Sequence, residues 1–237
     1  MKYSRKTFLP REKQKEIIKK SLKERDYIKG DIPITGRSLQ NYLTQLFPDI
    51  DGSTSLVQHL KQKDYLDIAC GINHLYPKSL LQQLSGSKKR HGLDIHVNMK
   101  TDKKTIQYYK GSIYKTSFPS NSYDCITINN FLYFWENNIN KLLSAYKELH
   151  RILKKDGILR IFPVFYGNYY NDSVELYDYL NTHFTIQCLR PRKDYSDEAP
   201  IYIEDGTIHQ TDPSNGKNEI TLNRELMAHV LILHKLK

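Results

Sequence analysis

YLDIACGINHLY, residues 65–76, begins as a short apolar run and breaks at a single glycine followed by asparagine and histidine. A run of this length that ends in small residues is the pattern of a buried strand leading into a turn. In such a turn, backbone N–H groups can approach a ligand closely. Only Gly71 is small without qualification, so the turn alone identifies nothing and the chain around it decides. Downstream, short apolar runs alternate with helical patterns. Strands are predicted at 65–70, 91–96, 105–110, 123–129 and 158–164. The clearest helix, 139–155, places Leu142, Tyr146, Leu149 and Leu153 on one face and stops at Gly157. A shorter one starts at Pro77, buries Leu80, Leu81 and Leu84, and stops at Gly86. Parallel strands joined by crossover helices produce this alternation, so the fold class is α/β.

The C-terminal part reads differently. A helix at 173–182 is followed by the strand FTIQCLRP (184–191), a polar turn-rich excursion, and the strand MAHVLILHKLK (227–237). Two strands without a crossover helix between them imply an antiparallel pair on one edge of the sheet. At the other end of the chain, Pro10, Glu16 with Lys19 and Lys20, and Gly30 mark a basic helix over about 10–29. Two short helices follow. One carries Leu39, Tyr42, Leu43 and Leu46 and is stopped by Pro48; the other is capped near Ser53 and carries Leu56, Val57 and Leu60. The expected division is a basic helical extension, 1–60, and one α/β domain, 61–237.

The 237 residues suffice for a full core, and no run of about 18 apolar residues offers a membrane span. The first residues lack an apolar stretch behind their charges, so export is not expected and the cytoplasm is the default. Net charge is +10, and residues 1–29 hold eleven Lys/Arg against four Asp/Glu, so +7 of the excess lies there. A concentrated basic arm can neutralise phosphates, which makes RNA, DNA or an anionic membrane surface a candidate partner; a solvated helix that maintains solubility is the plainer alternative. Cys70, Cys125 and Cys188 form no CxxC pair, and the nine histidines show no metal spacing, so no metal site is expected.

In an open α/β sheet, ligands bind beyond the carboxyl ends of the strands, where strand order reverses. The strand ends here are Asp67 with ACGIN, GLDIH with Asp94, GSIY, and INNFLYF. A carboxylate closing the second strand can accept both hydroxyl protons of a ribose.

These stretches, in this order, resemble the class I S-adenosylmethionine-dependent methyltransferases over about residues 63–165, and the C-terminal strand pair more loosely. LDIACGIN takes the place of the family's LDxGxGxG. GSIYKTSFPSNSYDCITINN and ELHRILKKDGILRIFP match the loop, strand, helix, Lys-x-Gly turn and strand that follow. The resemblance implies a Rossmann-like, mostly parallel seven-stranded sheet and S-adenosyl-L-methionine as cofactor. It implies that Asp67 orients the turn near the cofactor's amino group, with Ala69, Cys70, Gly71 and Asn73 forming that turn. Asp94 takes the ribose and Ile95 packs on the adenine. Ser112, Ile113 and Asn129 complete the cofactor side, Ser112 standing where an aspartate commonly meets the adenine amino group. Ala69 and Asn73 replace the first and third family glycines. The short segment between Asp94 and Ser112 implies a reduced second crossover helix. A nicotinamide or flavin site is the near competitor, but it would want G-x-G-x-x-G where this chain offers A-x-G-x-x-H.

The methyl acceptor and any catalytic residue are not identified by the sequence. Cys70 suits inert packing in a turn, and Cys125 lies inside a strand, so neither reads as a nucleophile. The Asn/Asp-Pro-Pro-aromatic motif of amino-group methylation is absent. Of two aromatic clusters, FLYFW (131–135) reads as core, while YGNYY (166–170) is polar enough to meet a flat substrate. Tyr166, Asn168 and Tyr169 are therefore the candidate substrate contacts. DIACGINHL is also similar to the DxACGxNPL turn of aminoglycoside-resistance ribosomal RNA methyltransferases, with His74 in place of the proline. With the basic arm, that likeness puts RNA ahead of a small molecule or protein as acceptor. An inactive, methyltransferase-like binding module is the alternative of another class.

Overall fold

The computed structural model describes residues 38–71, 79–84, 88–95, 106–129, 138–165, 174–192, 201–204, 207–210 and 228–236. The expected basic helix at 10–29, Asn73, the FLYFW cluster, and Tyr166, Asn168 and Tyr169 lie outside the described residues. The elements are helices α1 (Leu39–Gln45), α2 (Gly52–Lys61), α3 (Leu80–Gln83), α4 (Ile139–Ile152) and α5 (Val174–His183). The strands are β1 (Tyr65–Ile68), β2 (Arg90–Asp94), β3 (Ile106–Lys110), β4 (Tyr123–Asn129), β5 (Leu153–Phe165), β6 (Phe184–Leu189), β7 (Ile201–Glu204), β8 (Thr207–Gln210) and β9 (Ala228–Lys235).

All four residues of β1 are buried, as are six of the seven in β4. Strands covered on both faces cannot alternate polar and apolar residues, which is why these read as continuous apolar runs. The seven-stranded sheet has the order β3-β2-β1-β4-β5-β9-β6, with β1 to β5 parallel. The expected antiparallel pair is present, with one refinement: β9 is antiparallel to both β5 and β6 and lies between them, so β6 forms the edge. Strands β7 and β8 form a separate antiparallel pair within the polar excursion.

Each face of the sheet has its own core. On one face, α4 contributes Leu142, Ala145, Tyr146, Leu149 and Ile152, and α5 contributes Leu176 and Leu180. On the other, Tyr42, Leu43 and Leu46 from α1 and the turn after it pack with Leu56 and Leu60 of α2, Leu80 and Leu81 of α3, and Val230 and Ile232 of β9. Helix α1 starts in a capping box: the Ser38 hydroxyl accepts from Asn41 N at 3.2 Å, and Ser38 N donates to Asn41 Oδ1 at 2.9 Å. Helix α2 starts two residues earlier than a cap at Ser53 suggests. Its N-cap is Asp51, whose carboxylate accepts from Arg192 Nη2 at 2.6 Å instead of from the helix.

The turn between α1 and α2 is held by two arginines, one in the sheet and one just past its edge strand. Arg160 of β5 reaches Asp49 through both Nη atoms, at 2.7 and 2.8 Å, donates to Leu46 O at 2.9 Å, and lies 4.5 Å from the centre of the Phe47 ring. Just beyond β6, Arg192 donates from Nε to Pro48 O and from its backbone N to Thr44 O.

The stretch expected to finish α4 behaves otherwise. The helix ends at Ile152, Leu153 is extended and pairs with Tyr123, and the register shifts before Cys125. Asp156 has φ 60°, and a Cβ on Gly157 would lie 2.8 Å from both Leu153 Cγ and Lys154 O. KKDG is thus an irregularity at the start of β5, not a last helical turn. Two tethers favour it. Lys154 Nζ bonds Asp64 Oδ2 at 2.6 Å and Asp124 Oδ2 at 3.0 Å. Lys235 Nζ meets His150 O at 2.8 Å and Leu153 O at 2.7 Å, placing a cation on carbonyls that the helix end leaves unpaired.

Two half-buried imidazoles give the fold a pH dependence. Burial, aided by nearby Lys89, pushes His91 down to about 4, where its ring packs against Tyr109 and Phe118 and its Nδ1 lies 2.7 Å from Tyr123 OH. Burial, aided by Lys235 and His183, pushes His150 down to about 4 as well. In the unfolded chain both titrate near about 6.5, so as pH falls the unfolded state takes up protons first. Stability is complete above about pH 6.5 and is lost progressively towards the folded values. The melting temperature is expected to fall as the pH is lowered from about 7 to about 4, and less steeply in His150→Gln. A flat profile would show that neither imidazole is held neutral.

Candidate active site

The ends of β1, β2 and β4 converge on the turn after β1. Pairing with β2 continues past the strand: Ala69 N donates to Leu93 O at 2.8 Å. The chain then bends through two left-handed residues, Ala69 at φ 55° and Gly71 at φ 56°. For Ala69 that conformation costs about 1 kcal/mol or more, a cost glycine would not carry. Alanine thus adopts here the left-handed geometry that glycine favours.

Asp94, the last residue of β2, accepts from Gly71 N at 2.9 Å through Oδ2. A carboxylate has about four acceptor positions, enough to hold the turn and a ribose together. The next residue, Ile95, is half exposed. Behind the turn, Cys70 is fully buried, and a Cβ on Gly92 would lie 2.9 Å from its Sγ and 2.5 Å from the Tyr108 ring. Cys70 is therefore packed on the strand behind it. Burial also pushes Cys125 up to about 11, so that thiol stays protonated. After β3, Gly111 N donates to Asp94 O at 3.1 Å, which brings Ser112 next to the carboxylate strand end. The Ser112 hydroxyl accepts from Tyr114 N at 3.3 Å, and Ile113 is buried in the core on the α4 face.

Asp67 is 1% exposed, and both its oxygens are engaged from within the protein. Oδ2 accepts from Tyr42 OH at 2.5 Å, and Oδ1 accepts from Thr127 Oγ1 at 2.9 Å. Since the Thr127 proton is used on Asp67, Tyr65 OH, 2.5 Å away, donates to Thr127. Burial first, and then the Asp67 charge, push the Tyr65 phenol well above its ordinary value, which keeps that donor protonated.

Asn129 ends β4 beside the turn, since Ile68 pairs with Ile128. Its Nδ2 donates to Gln45 Oε1 at 3.1 Å, while its Oδ1 is buried and, among the described residues, accepts no hydrogen bond. A buried acceptor left unmade costs about 1–3 kcal/mol, so an oxygen of this kind at a strand end fits a ligand that brings a donor.

The structure thus brings together Asp67, Ala69, Cys70, Gly71, Asp94 and Asn129, with Ser112 next to them. Sequence reasoning missed Tyr42 and Gln45. Their only signal is a polar pair three residues apart on a helix whose other face is apolar, and in that pattern Tyr42 reads as one more apolar residue.

Several solved structures are similar to this chain. The N-methyltransferase NodS from Bradyrhizobium japonicum is 12% identical, with 77% of this chain and 93% of that one covered and a TM-score of 0.43. A putative S-adenosylmethionine dependent methyltransferase from Listeria monocytogenes is 16% identical, covering 77% and 96%, with a TM-score of 0.48. The tRNA (m1A58) methyltransferase TrmI from Aquifex aeolicus is 11% identical, covering 85% and 77%, with a TM-score of 0.45. No curated protein matches the sequence. Residues 66–161 match the family described as "Methyltransferase domain". That span begins at β1, ends in β5, and contains Asp67, the left-handed turn, Asp94 and Asn129. Over residues 66–161 this chain is therefore similar to methyltransferase domains, in line with the resemblance of its strand ends to the class I, S-adenosylmethionine-dependent kind.

Proposed function

We propose that this chain transfers the methyl group of S-adenosylmethionine to RNA, with residues 1–29 as the phosphate-binding arm. The observation that carries the choice of RNA is the concentration of +7 in those 29 residues, which suits a partner with a regular array of phosphates. Asp94 holds the ribose, and the Ala69–Gly71 turn presents backbone groups to the methionine end. Tyr166, Asn168 and Tyr169, which follow β5 in the sequence, contact the acceptor base.

The bound sulfonium supplies an activated methyl group with a neutral thioether as leaving group. The chain's own task is then to align an acceptor atom behind that carbon and to exclude water, because positioning provides most of the rate enhancement in such a displacement. A general base is needed only when the acceptor atom carries a proton at the reaction pH.

Binding of structured RNA, measured across a salt series for the full chain and for a variant lacking residues 1–29, tests the acceptor class. Affinity is expected to fall steeply with salt in the full chain. Truncation is expected to weaken binding and flatten the slope by about one unit for each phosphate no longer neutralised. A flat response in the full chain would rule out RNA and leave a small molecule or a protein as acceptor. An inactive binding module would bind RNA but show no affinity for S-adenosylmethionine or S-adenosylhomocysteine.

A further inference from the structure

Asn129 has two polar ends, and only one is used. Its Nδ2 is taken by Gln45 Oε1 at 3.1 Å, its Oδ1 accepts nothing among the described residues, and the residue has no exposed surface. The two facts are linked. An amide that donates to Gln45 must turn its oxygen the other way, so the side chain from α1 determines which group the end of β4 presents. Gln45 is 8% exposed and belongs to a helix whose following turn is held by Arg160 and Arg192, so it is itself well placed to fix a neighbour.

The sheet order indicates which part of the cofactor meets that oxygen. β2, with Asp94, lies on one side of β1, and β4, with Asn129, lies on the other. With the ribose on Asp94 and the adenine beyond it next to Ile95, the methionine end points towards β4. The donor available at that end is the α-ammonium, and a charged donor suits a buried amide oxygen. Resting on the cofactor reading above, we propose that Gln45 is a positioning residue: it orients the Asn129 amide so that Oδ1 accepts a hydrogen bond from the cofactor's α-ammonium.

Two probes separate this role from a structural one: S-adenosylhomocysteine, which carries the α-ammonium, and 5′-methylthioadenosine, which keeps adenine, ribose and thioether but lacks it. Calorimetry on the full chain is expected to show S-adenosylhomocysteine binding weakened about tenfold or more in Asn129→Leu and several-fold in Gln45→Leu. Binding of 5′-methylthioadenosine is expected to be unchanged in both. Asn129→Asp, which offers only acceptors, is expected to bind S-adenosylhomocysteine as tightly as the parent or more tightly. Gln45→Glu keeps an oxygen opposite Nδ2 and should lie within about threefold of the parent.

Equal losses for both probes would mean that the variants damage the turn, and would overturn the proposal. Loss in Asn129→Asp would show that the amide presents its donor, and unchanged binding in Gln45→Leu would show that Gln45 orients nothing. If the parent protein bound neither probe, the cofactor reading itself would fail.

Discussion

Replacing Asp94 with alanine is expected to raise the dissociation constant of S-adenosylhomocysteine by about a hundredfold or more. Two charge-assisted hydrogen bonds to ribose hydroxyls, at about 1.5 kcal/mol each, account for that factor. The same carboxylate accepts from Gly71 N at 2.9 Å, so the variant also releases the turn that receives the methionine end. Asp94→Asn separates the two effects. It keeps an oxygen for Gly71 but loses the charge and one pair of acceptor sites, and it should fall between the parent and the alanine variant. Both variants should weaken 5′-methylthioadenosine as well, because that ligand carries the ribose. Undiminished affinity in Asp94→Ala would remove the ribose from β2 and, with it, the direction assigned to the cofactor.

The second large effect concerns stability. Arg160 is 3% exposed, and its guanidinium supports Leu46 O, both oxygens of Asp49 and the face of Phe47. Arg160→Met fills much of the volume but leaves a buried carbonyl and a carboxylate without these donors. Asp49 is over a third exposed and recovers part of the loss by hydration. A destabilisation of roughly 2–4 kcal/mol is expected. For a chain of this size that lowers the melting temperature by roughly 5–10 °C.

The acid limb should change too. Burial raises the Asp49 pKa, but the hydrogen bond and charge of Arg160 outweigh it and hold the group below the usual range. The stability it contributes is present above its unfolded value and is lost as pH falls through the folded one. In Arg160→Met that contribution should vanish. A double-mutant cycle with Asp49→Asn measures the coupling directly; additive losses would mean that the pair, despite its geometry, holds nothing together.

Where the sheet signal is strongest, the sequence can be read closely. β4 runs from Tyr123 to Asn129 as its apolar run predicts, because a strand buried on both faces has little freedom to end elsewhere. At the start of β5 the expectation fails, and the reason is tertiary. The helical periodicity of α4 continues through Leu153, but Lys154 is drawn to Asp64 and Asp124, ninety and thirty residues earlier in the chain, and this favours an extended backbone. No local pattern encodes that attraction.

The site divides in the same way. That Gly71, Asp94 and Asn129 come together is legible because they stand at or just past the ends of neighbouring parallel strands. Tyr42 and Gln45 are not, because their partners lie 25 and 84 residues away across the fold. Ala69 shows the converse: alanine stands where the resemblance implies glycine, and only the backbone angle reveals the left-handed conformation that glycine favours.

The position of β9 constrains how the protein can be made. Residues 228–235 complete the sheet by entering between β5 and β6, two strands synthesised well before them. Until that last segment emerges from the ribosome, β5 has a bare edge lined by Ile158, Leu159 and Ile161, and β6 has no strand to join. A nascent chain in this condition offers an open template to any extended peptide nearby. Completion of the sheet thus waits for residues 228–235, and Lys235, seated on the carbonyls at the end of α4, marks the moment when the fold closes.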